Sequence, residues 1–124
     1  MYRQIAFIFL LLGCQAQAHE MTPAYPKFKQ SYIDGVSVTK MSLFNRRNDA
    51  SYYEIGVFTA DWKEVPFAAT QKVIKVRYTK RYPFEVYVRN GDLEDVQYIC
   101  TISKILKGAE QISQVASRIC SKVK

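Results

Sequence analysis

One histidine, His19, and three cysteines, Cys14, Cys100 and Cys120, are the residues of this 124-residue chain best suited to act as base, nucleophile or soft metal ligand. Triad-type hydrolysis needs a nucleophile, a base and a group that orients the base. A lone imidazole at a terminus expected to be mobile builds no such site. The carboxylates offer no better case. Glu54, Glu64, Glu85, Glu94 and Asp95 fall on outward positions of alternating segments or in turns, where solvated acids are expected. No glycine-rich phosphate loop, Cys-x-x-Cys or His-Glu-x-x-His occurs. The chain is expected not to be an enzyme.

His19 supports one sharper chemistry. If it becomes the first residue, its α-amine and imidazole are adjacent nitrogen ligands, and such a terminus chelates Cu(II), which takes nitrogen donors in tetragonal geometry. The further histidines that copper sites recruit are absent, and Glu20 or Met21 would be weak substitutes. A periplasmic copper-binding protein with His19 as ligand is thus the alternative function; otherwise no cofactor is expected.

Whether His19 is first depends on the leader. Residues 1–18 combine a positive start at Arg3, an apolar run over residues 5–12 and small residues at Ala16 and Ala18, the three parts of a secretory signal peptide. The run is far short of the roughly 20 apolar residues that span a bilayer, and no later stretch approaches that length, so no transmembrane segment is expected. Two cutting signals compete. Leu11-Leu12-Gly13-Cys14 fits a lipoprotein pattern that would anchor the chain through a lipid on Cys14; Ala16-Gln17-Ala18 fits the ordinary small-x-small pattern at a more comfortable depth and is preferred.

The remaining residues, 19–124, suffice for one small domain with a single core. Losing Arg3 lowers the formal balance from +7 to +6. The cations are spread among apolar residues as a solvated basic surface that could attract nucleic acid, anionic lipid or an acidic protein face; export argues against nucleic acid, and another protein is the expected partner. Cys100 and Cys120 are the two cysteines after the leader, an even number in an oxidising compartment, and they are expected to form a disulfide in a periplasmic or secreted protein.

The elements that must position these residues read as strands. HEMTPAYPKFKQSYIDG carries Pro23 and Pro26 and should run along a sheet edge before turning at Asp34-Gly35. In VSVTKMSLFN, Val36 and Val38 share one parity and Met41 and Leu43 the other, which predicts a bulge or twist near Lys40. SYYEIGVF, KVIKVRY and PFEVYVR alternate, TADWKEVPF is a turn whose Trp62 and Phe67 cover a sheet end, and Asn90-Gly91 is a turn. In VQYICTI, Val96, Tyr98, Cys100 and Ile102 are in phase. The tail is ambiguous between helix and strand; a final strand over residues 115–123 is favoured, with Val115, Ile119 and Val123 on one face. The sum is an all-β chain: a single immunoglobulin-like antiparallel β-sandwich of about seven strands. The outward Tyr87 beside Arg89 offers a protein-binding face.

LEDVQYIC is similar to the sixth strand of an immunoglobulin sandwich, with Tyr98 two residues before Cys100; that implies a tyrosine ring in the core and its hydroxyl on nearby backbone. The usual cysteine of the second strand is missing from VSVTKMSLFN, which again leaves Cys120 as the partner. VTKMSLFNRRNDASYYEIGVFTADWKEVPF, about a third of the chain, resembles the second and third strands of the amino-terminal domain of periplasmic pilus-assembly (PapD-like) chaperones. Those proteins lend a strand to a client and hold its terminal carboxylate with a basic pair between two domains. The resemblance implies strand pairing through Val115, Ile119 and Val123. The basic pair has no assignable counterpart here. The sequence therefore reads as an exported, non-catalytic protein-binding module, chaperone-like or assembly-associated, or else a structural component of a surface or viral assembly.

Overall fold

The computed structural model describes residues 19–104 and 117–124. The leader with Cys14, and Val115 in the final expected strand, lie outside the described residues. Eight strands follow one another: β1 (Glu20–Thr22), β2 (Lys29–Gln30), β3 (Val36–Phe44), β4 (Tyr52–Phe58), β5 (Val73–Lys75), β6 (Arg81–Arg89), β7 (Tyr98–Ser103) and β8 (Arg118–Lys122). A short 3-10 helix, Asn90–Asp95, occupies the expected Asn-Gly turn.

The strands form two antiparallel sheets. In the first, β3 is flanked by β6 on one side and by β1 and β2, end to end, on the other. In the second the order is β5-β4-β7-β8. The order is immunoglobulin-like, with β5 beside β4 in the second sheet and no described strand beyond β6 in the first. The expected edge segment is therefore two short strands. Pro23 and Pro26 interrupt it because neither has a backbone donor to continue the ladder.

Alternation dictates the core. Leu43, Tyr53, Ile55, Val57, Ile74, Val86, Val88, Val96 and Ile99 are buried between the sheets, joined by Met21, Met41 and Phe84. One expectation about phase is corrected, in β3, and one implied by the immunoglobulin resemblance, in β7. The β3–β6 register runs without interruption from Val36 opposite Arg89 to Phe44 opposite Arg81, so there is no bulge at Lys40. Ser37, Thr39, Met41 and Leu43 share the inner face. Val38 lies on the outer one, buried because it sits between Lys29 of β2 and Tyr87 of β6. In β7 the inner face is Ile99, Thr101 and Ser103, paired with Val57, Ile55 and Tyr53; Tyr98, Cys100 and Ile102 face outward. Polar side chains can take inner positions here because they meet a buried polar cluster, described below.

The segment before β2 ties the sheets together. Met21 packs into the core from β1, while the Pro23 and Ala24 carbonyls accept from Ser121 Oγ (2.7 Å) and Lys122 N–H (2.9 Å) of β8. Residues 19–24 thus strap β8 to β3.

Candidate functional site

β8 lies at the end of its sheet and is fastened to β7 by a disulfide and by backbone hydrogen bonds. Cys100 and Cys120 stand directly opposite in the register and form the expected disulfide, with Cα atoms 4.1 Å apart. Ser103 N–H donates to Ser117 O and Val123 N–H to Gln97 O, which makes the odd residues of β8 the hydrogen-bonded set. Antiparallel pairs alternate between bonded and non-bonded. Arg118, Cys120 and Lys122 therefore turn their backbone N–H and C=O groups away from β7. Lys122 N–H is taken by Ala24 O. The outward groups of Arg118 and Cys120 have no hydrogen-bond partner among the described residues, although β1 passes close to β8.

Side chains of the same residues stand on the sheet's outer face, where Arg118 lies over an aromatic stack. Thr59 clamps the turn after β4: its hydroxyl accepts from Asp61 N–H and Lys63 N–H, and its carbonyl from Trp62 N–H. That turn holds Trp62 in the left-handed region at φ 64°. Its ring stacks on Tyr98, 4.4 Å away and 4° from parallel, and the Arg118 guanidinium lies 4.1 Å from the centre of the Trp62 ring. Gly56, opposite Cys100, leaves room for the Phe58 ring, which approaches Trp62 at 6.0 Å. Trp62, expected to cover a sheet end, lies over Tyr98 on the outer face of β7. Tyr98 belongs to this outer stack and does not enter the core, because the turn supplies a flat ring to cover it and β7 carries it on the outer face.

Beneath β7 and β8 is a polar cluster that the sequence reading missed. His19 is buried, 2% exposed, in place of the expected solvated imidazole. Its Nε2 is 2.8 Å from Thr101 Oγ1 and 3.2 Å from the Thr101 carbonyl, and Nδ1 is 3.4 Å from Ser117 Oγ. A carbonyl can only accept, so Nε2 carries the proton and Nδ1 accepts. Burial drives its pKa down to about 4, against the Thr101 hydrogen bond, which favours the charged form. Arg47, 6% exposed, donates to Ser103 and Ser117 hydroxyls at 3.1 Å and grips Asp49 through both oxygens at 2.9 and 2.7 Å. The Asp49 hydrogen bonds push the Arg47 pKa up. Asn45 accepts from Tyr53 Oη at 2.6 Å and donates to the Ala50 and Val76 carbonyls. Burial raises the Tyr53 pKa to about 12. The readable signal was Thr101 and Ser103 alternating inside an otherwise apolar strand.

The remaining candidate residues fall elsewhere. Ile119 and Val123 point inward and pack against the core. Tyr87 and Arg89 are together on the first sheet's outer face, in a shallow groove of about 190 Å³ with Val36, Pro66, Phe67 and Ala68. Tyr87 meets Tyr32 edge-on at 6.2 Å and donates to Glu85, a hydrogen bond that raises its pKa to about 12. Among the described residues no three His, Cys, Asp or Glu side chains cluster as a metal site. No described helix is long and apolar enough to cross a membrane. No family model, curated protein or solved structure matches the chain.

Proposed function

We propose that this chain is an exported, non-catalytic module that binds a protein partner by taking an extended segment of it onto the edge of β8. One observation carries the reading: the outward backbone groups of Arg118 and Cys120, on a strand whose position is fixed by a disulfide on one side and the 19–24 strap at one end. Strand addition draws its affinity from main-chain hydrogen bonds and its specificity from alternate side chains. In the chaperone resemblance the apolar residues of the last strand face the client. Here Ile119 and Val123 turn to the domain's own core, so discrimination falls to Arg118, Lys122 and Trp62.

Export is supported by the leader pattern and by the disulfide, which suits an oxidising compartment. The non-catalytic reading is supported by the enclosure of His19, whose two ring nitrogens are engaged inside the fold.

Arg118→Pro tests the mode of binding, since it removes an outward N–H without touching a β7 contact. In a pull-down from a periplasmic extract, a partner retained by wild type should bind Arg118→Pro about tenfold more weakly than Arg118→Ala, the loss of about one hydrogen bond. Equal retention of the two variants would place the contact on side chains alone and refute strand addition.

A further inference from the structure

We infer that the segment accepted at β8 is acidic and comes from a different chain, not from a second copy of this one. The inference rests on the strand-addition reading and adds to it the chemistry of the occupant.

The cations of the site are unneutralised. Arg118 and Lys122 meet no carboxylate among the described residues, a condition they share with most of the chain's cations; Arg118 is distinguished by its place over the Trp62 ring. Arg118 is nonetheless held in place by its stacking on Trp62, so little of its freedom remains to be lost when a carboxylate arrives. Both residues lie on the outer face of β8, about 13 Å apart at a rise of about 3.3 Å per residue. At Lys122 the edge is held by Ala24, so a bound strand pairs at Arg118 and Cys120, sets one carboxylate beside Arg118, and presents a second near its end to the Lys122 side chain.

A second copy is opposed by the same charges. Antiparallel pairing of two β8 strands about Cys120 would set Arg118 against Lys122 twice, and would need the edge that Ala24 already holds at Lys122. Pairing β8 with the far edge of the same sheet sets these cations beside Lys75 of β5, and the first sheet presents Lys29 on β2. Like charges directly opposite are destabilising, and lysines on open strands discourage edge-to-edge association.

Trp62, the single tryptophan of the chain, reports on the site directly. Titrate the purified protein, by Trp62 emission and by calorimetry, with a peptide of about nine residues alternating Glu with Val or Thr, and with its Lys-for-Glu counterpart. The acidic peptide should bind at least about tenfold more tightly, and its affinity should fall several-fold between about 50 and 300 mM salt. Arg118→Glu with Lys122→Glu, checked for an unchanged melting temperature, should reverse the preference. Equal binding of both peptides overturns the inference and leaves strand addition standing. Binding of neither peptide overturns both.

Discussion

His19 is the residue whose setting departs most from its type. A terminal histidine suggests a solvated, titrating ring; this one is enclosed by Thr101, Ser117 and Tyr53, with the Arg47 charge nearby. Its folded pKa of about 4 lies below the unfolded 6.5, so the unfolded chain binds the extra proton between those values. Stability contributed by the neutral ring is complete above about pH 6.5 and is lost as pH falls towards 4. A depression of that size is worth about 3 kcal/mol. Urea midpoints at pH 7 and pH 4 should show that much more acid loss in wild type than in His19→Gln. Asp49→Asn should cost about 2 kcal/mol at neutral pH, because it strips the carboxylate from the buried Arg47 guanidinium. A loss no larger than that of Asp34→Asn, at an exposed turn, would remove the cluster's claim to hold this end of the fold.

Element by element, the strands were legible because alternation survives in β4, β5 and β6, where one face is apolar and the other wet. β3 and β7 misled for related reasons. Val38 is buried on the outer face by its neighbours Lys29 and Tyr87, and Thr101 and Ser103 are inside because His19 and Arg47 need partners; neither fact can be read from parity along one strand. The disulfide was legible from cysteine number, but the cluster that joins residues 19, 45, 47, 53, 101 and 117 is assembled only by pairing across sheets. Two variants separate the inner and outer groups of β8. Lys122→Pro removes the N–H that binds Ala24 and should destabilise by about 1 kcal/mol, whereas Arg118→Pro should change stability little; thermal melts compare them. Replacing Cys100 and Cys120 together by alanine should cost about 3 kcal/mol, as expected for a link between residues 20 apart in sequence.

At the scale of the whole molecule, the formal charge of +7 is distributed so that the open strands β2, β5 and β8 each present a cation. The same arrangement that favours an acidic partner keeps copies apart, and sedimentation should show a single species at low salt across a wide concentration range. The central claim concerns backbone groups, and amide hydrogen exchange reads them one residue at a time. In the free protein, the amides of Arg118 and Cys120 should exchange quickly while those of Ile119 and Ser121, bonded to β7, exchange slowly. Adding the acidic peptide should slow Arg118 and Cys120 and leave Ile119 and Ser121 as they were. Slow exchange at Arg118 and Cys120 in the free protein, or no change on peptide binding, would contradict strand addition at β8.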